Sequence, residues 1–171
     1  MKYRGADSYG FNDFDRHMCL KPGVWTWLVV AFLMRPYVVI AISFANKGDR
    51  MGLIDMIYPD RIWLAIDTLA ALPAVAMVLA YALRSPSAGR RIRWLWGSGR
   101  ALLMLSAGAN AVVALASLIL GNDERAAVLS PSLLCVSAWS LWYLISADRV
   151  KDAFGDFPAT PDEEAGKGAG T

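Results

Sequence analysis

Histidine occurs once in the chain, as His17, and cysteine twice, as Cys19 and Cys135. The three do not cluster, so no metal site is expected from them. Cys19 precedes the first apolar run and Cys135 falls inside the last, which argues against a disulfide between them. Charge is scarce as well. Asp, Glu, Lys and Arg make up 19% of the 171 residues, against about 25% in a soluble domain. The net charge of +2 is too small to suggest a nucleic-acid partner. There is no phosphate-binding loop, no Ser-His-Asp set and no paired-histidine motif of a membrane metalloprotease. No catalytic residue, cofactor or metal is therefore expected, and the chain reads as a non-enzyme. The first twenty residues hold no apolar core, so a cleavable signal peptide is not expected. No internal repeat is visible.

What the chain does have is apolar sequence. Hydrophobic residues make up 56% of it, and the mean hydropathy is +0.38. They gather into four runs that are apolar almost all round, unlike the one-sided helices of a soluble bundle. A bilayer core of about 30 Å needs roughly 20 helical residues. The expected spans are residues 24–44, 62–83, 101–120 and 131–146, forming an all-α, four-helix transmembrane domain over 24–146. Residues 1–23 form a polar N-terminal segment. Residues 147–171 form a tail, disordered after about residue 158 because small and acidic residues dominate there. Pro86 and the Gly121-Asn122-Asp123 turn are read as helix stops. Ser130 is the expected N-cap of the fourth span, with Pro131 its first helical residue. The stretch 51–58 is either a short interfacial helix or a plain loop. Val150, Phe154 and Phe157 recur at helical spacing and would rest on the membrane surface or on the N-terminal segment.

The distribution of positive charge orients the chain. Twelve Lys and Arg fall on the N-terminal segment, the loop between spans two and three, and the tail, against four on the other side. Positive charge is retained on the cytoplasmic side, so both termini are expected there. Trp25, Trp27, Trp94, Trp96, Trp142 and Tyr143 fall at the same interface, where such rings anchor helices. The basic loop RRIRWLWGSGR offers Arg90, Arg91, Arg93, Trp94 and Trp96 as candidate contacts to anionic lipid headgroups. Ordinary positive-inside topology accounts for the same residues.

Three polar residues stand inside the spans. Arg35 is about 16 Å deep in the first, where an arginine costs about 2.5–3.5 kcal/mol on insertion scales. Pro36 follows it, and a kink is expected there. Asp67, in the second span, is the natural counter-ion, about 7 Å away in depth and within reach of an arginine side chain. Asn110 lies near the midplane of the third span. Ser106, Asn110, Ala114 and Ser117 share one face of it. Pro73 suggests a second kink. Arg35, Asp67 and Asn110 either line a site for an anion, a proton relay or a small substrate, or form a buried structural pair with a register-fixing hydrogen bond. A third option satisfies Arg35 on a partner protein's helix.

Short motifs along the chain are familiar. Asp13-Phe14-Asp15, Leu20-Lys21-Pro22 and Arg35-Pro36-Tyr37 come first. Tyr58-Pro59-Asp60 precedes span two, and Trp96-Gly97-Ser98-Gly99-Arg100 precedes span three. Ser146-Ala147-Asp148-Arg149, Asp152-Ala153-Phe154 and Asp156-Phe157-Pro158 close the series. Together they resemble the YfeZ-like family of small proteobacterial inner-membrane proteins of unknown function, over about residues 11–158. The resemblance implies four spans in a bacterial inner membrane and supplies no activity, cofactor or catalytic residue. The expected function is a non-enzymatic accessory or assembly subunit. It would work through the bilayer, anionic lipids included, and through a membrane-protein partner or further copies of itself. The alternative is a small transporter or channel using Arg35 and Asp67.

Overall fold

A computed structural model describes residues 13–14, 19–46, 48, 51–58, 60–85, 87–120 and 124–158, the stretch 124–129 as backbone alone. The chain is all-α. Its helices are α1 (Val24–Leu33), α2 (Arg35–Ala45), α3 (Gly52–Ile57), α4 (Arg61–Ala70), α5 (Leu72–Ala82), α6 (Arg90–Gly97), α7 (Gly99–Leu120), α8 (Glu124–Ser146) and α9 (Asp148–Gly155). Among the described residues there is no strand, only an isolated antiparallel bridge between Phe14 and Leu20.

The first two apolar runs are broken. The first divides at Met34 into α1 and α2, bent by 66°, and the second at Ala71 into α4 and α5, bent by 43°. Each break precedes a proline in the first turn of the following helix, Pro36 and Pro73. A proline has no N–H to give to the fourth carbonyl back, and its ring crowds that carbonyl. The third run forms the unbroken α7. It alone among the described residues is long and apolar enough to cross a bilayer, and each bent pair, counted as one span, brings the number to three. The chain is thus helical with membrane-type segments.

Several boundaries differ from those expected. The fourth run lies within α8, which begins at Glu124, so Ser130 is not an N-cap and Pro131 sits inside the helix. The two residues followed the usual order for a helix start, but the helix extends a turn and more before them. The basic stretch read as a loop is the helix α6, and residues 52–57 form the short helix α3. The stops at Pro86 and at 121–123, and the tail after residue 158, lie outside the described residues, as does His17.

The core joins α1, α5, α7 and the end of α8 to α6 and α9. Leu33, Met77, Trp96, Leu103, Leu144 and Val150 are fully buried in it. An aromatic run crosses it: Trp27 meets Tyr81 at 4.9 Å, Tyr81 meets Trp96 at 5.8 Å, and Trp96 meets Phe154 at 4.9 Å between ring centroids. Outward, α7 shows Leu105, Val112 and Ile119, one residue per heptad on a single stripe. Large apolar side chains facing outward along a whole helix suit a lipid surround better than water.

One end of the bundle is closed by segments distant in sequence. The Leu20 N–H donates to Asp156 Oδ2 at 2.9 Å, and Arg149 pairs with Asp13 at 2.6 Å. Arg84 Nη2 donates to the Asp156 carbonyl at 2.8 Å, and Trp96 Nε1 to the carbonyls of Asp156 and Ala153 at 2.9 and 3.2 Å. The tail helix α9 buries Val150, Ala153 and Phe154. Its apolar face rests on the protein, beside the N-terminal segment.

Candidate functional site

The interior ion pair lies at the two breaks. Arg35 opens α2 immediately after Met34, and Asp67 stands one turn before Ala71. Arg35 Nη2 donates to Asp67 Oδ1 at 2.9 Å and to Oδ2 at 3.0 Å. The guanidinium also stands 5.0 Å from the centre of the Phe32 ring, a cation–π contact. Asp67 is 1% exposed, so its charge depends on these partners.

A third residue completes the pair. Tyr58, between α3 and α4, donates its phenol proton to Asp67 Oδ2. Both carboxylate oxygens are thereby occupied from within the chain. Burial pushes the Tyr58 pKa up, the Asp67 charge and hydrogen bond push it further, and Arg35 opposes them. The phenol stays a neutral donor as a result. The sequence marks Tyr58 only as part of a turn before α4. Nothing in its spacing ties it to Asp67, because Tyr58 lies outside the helix that carries Asp67.

The second break is sealed by α7. The Ala74 N–H turns to Ala71 O at 3.0 Å, leaving the Ala70 carbonyl without its usual helical donor. Ser106 Oγ supplies one at 2.8 Å. Nearby, Tyr37 donates to Thr68 O at 3.0 Å, tying α2 to α4. Asn110, one turn along α7 from Ser106, is fully buried and donates to Ser106 O at 3.0 Å. It makes no hydrogen bond to Arg35 or Asp67. The arginine and the aspartate therefore meet, while the asparagine stays apart from them on α7, inside the bundle. Asn110 Oδ1, Ser137 Oγ and, at the break, Arg35 Nη1 are buried without a partner among the described residues. No group of three or more metal-ligating side chains occurs among the described residues.

The candidate headgroup contacts separate. Arg90, Arg91 and Trp94 lie on the exposed face of α6, Trp94 at 70% exposure. Arg93 stacks over the Phe157 ring at 5.0 Å. Trp96 is a correction: it is 1% exposed and gives its N–H to the tail, so it touches no headgroup. Its place on α6 turns it inward, two residues from Trp94, where a helix has already rotated by more than half a turn.

The chain is thus an all-helical protein with membrane-type segments, two of them broken around an internal ion pair. It belongs to the protein family of unknown function designated DUF2919, whose model matches residues 9–156. No curated protein and no solved structure matches the chain.

Proposed function

We propose that the chain crosses a bacterial inner membrane four times, through α1–α2, α4–α5, α7 and α8, with both termini in the cytoplasm. Two lines support this topology. Positive residues favour one side by twelve to four. Leu20, Arg84, Trp96 and Asp156 come from the N-terminal segment, the connection between the second and third runs, and the tail, and they meet at one end of the bundle. An even number of spans puts those three segments on one side.

Within that membrane the chain acts as a non-enzymatic accessory or assembly subunit. The observation that carries this is the closure of Asp67. Two bonds from Arg35 and one from Tyr58 take up the carboxylate, so the pair serves to hold two bent helices together. Its other large feature is outward-facing apolar helix surface, which suits neighbouring membrane helices. The test is affinity purification of the tagged chain from native membranes in mild detergent, with mass spectrometry of what accompanies it. A stoichiometric membrane partner is the expected result. Recovery of the chain alone or only with its own copies overturns the accessory role.

One observation favours a second function, a small transporter or channel. Discontinuous helices that meet near the midplane around a charge are how many transporters build a site, and Arg35 Nη1 has no hydrogen-bond partner among the described residues. Reconstitution in liposomes tests it: an ion or solute flux that Arg35→Gln abolishes supports transport, and its absence excludes a role for this pair in it.

A further inference from the structure

Most of the basic residues around α6 are engaged by the protein itself. Arg84 stacks over Trp96 at 4.6 Å and bonds the Asp156 carbonyl, Arg93 stacks over Phe157, and Arg100 Nε donates to the Leu144 carbonyl at 2.9 Å. Arg90 and Arg91 differ. Both are exposed, and neither has a hydrogen-bond or ion-pair partner among the described residues. They form the first turn of α6, and Trp94 and Leu95 follow one turn later on the same face. These four side chains line an open groove of about 450 Å³. Its lining is almost wholly apolar, so its walls are the indole, the leucine and the apolar stems of the arginines.

We propose that this groove seats one anionic glycerophospholipid of the cytoplasmic leaflet. The phosphate diester lies between the Arg90 and Arg91 guanidiniums, and the upper part of an acyl chain lies along Trp94 and Leu95. The chemistry of these side chains decides the occupant. A planar guanidinium matches phosphate oxygens in geometry and charge, and a soluble anion has no use for an indole that is 70% exposed. An exposed tryptophan one turn from two arginines reproduces the order of a lipid monolayer, headgroup first and hydrocarbon second. The site rests on the membrane-spanning arrangement proposed above, which puts α6 at the cytoplasmic surface.

Alkaline carbonate extraction of membranes comes first. Release of the protein into the supernatant removes the membrane arrangement itself, before any question about lipid. If the protein stays with the membrane, the full chain in detergent is titrated with phosphatidylglycerol or with phosphatidylcholine of the same acyl chains, and bound lipid is counted by native mass spectrometry. Wild type is expected to retain phosphatidylglycerol in preference. Arg90→Gln or Arg91→Gln weakens that retention about fivefold and the double variant about 30-fold, with phosphatidylcholine unaffected. Trp94→Ala weakens both lipids, and Arg61→Gln, an exposed charge at the start of α4, weakens neither. Equal retention of the two lipids by wild type overturns the site. So does an Arg90→Gln/Arg91→Gln variant that holds phosphatidylglycerol as wild type does, or displacement of the lipid by inorganic phosphate alone.

Discussion

Asp67 is the residue on which the interior depends, because it is the acceptor for three hydrogen bonds and is almost wholly out of water. Asp67→Asn keeps the shape and removes the charge, leaving Arg35 in the interior without a counter-ion. Losing one member of a buried pair costs about 3–5 kcal/mol, so this variant should unfold at markedly lower denaturant in a detergent titration. Arg35→Gln in the same chain should restore part of the loss. Tyr58 gives a subtler signature. Its folded-state pKa is raised, so its contribution is complete below the ordinary phenol value of 10.0 and shrinks as pH rises past it, where only the unfolded chain gives up the proton. Subtracting the stability of Tyr58→Phe from that of wild type should give a difference that is flat through neutral pH and falls above 10.0. At Ser137 the expectation reverses. Its hydroxyl is buried without a partner among the described residues, so Ser137→Ala removes a desolvated group and should change stability by less than about 0.5 kcal/mol or raise it.

Among the helices, α7 and α9 approach closely at Gly99. A Cβ at Gly99 would overlap the Phe154 ring, which is itself held against Trp96. Gly99→Ala must push the tail helix away. Overpacking of this kind costs about 1–3 kcal/mol, and limited proteolysis should then cut within Asp148–Gly155, where wild type resists. This docking is also where the sequence says least. The apolar runs are legible because long apolar helices announce themselves by composition, and Arg35 and Asp67 because a charge in such a run needs a partner. The breaks follow from Pro36 and Pro73. The fold of α6 and α9 onto the bundle does not follow. Trp96 and Trp94 are both tryptophans in a basic stretch, and only the turn of the helix sends one to the core and the other outward. Tyr58 and Ser106 are equally silent, since each finds its role through a turn or a break that no local spacing encodes. Pro131 misleads because an internal helix proline and a first-turn proline look alike in sequence.

For the whole molecule, the proposed topology puts α6 and α9 on one side and α3 on the other. Single cysteines at Gly89, Gly155 and Met56, all exposed positions, should report this in a Cys19→Ser/Cys135→Ser background. A membrane-impermeant thiol reagent applied to intact inverted vesicles should label the first two and spare the third, and right-side-out vesicles should give the reverse. Labelling of all three from one side would leave α1–α2 and α4–α5 as helices that enter and return without crossing. The end of the bundle that these positions bracket carries an order of events. Leu20 gives its N–H to a carboxylate that lies 136 residues later in the chain. During synthesis the early segment therefore waits for this partner while every helix between is made. The bundle is assembled with one end open and is fastened only when Asp156 emerges.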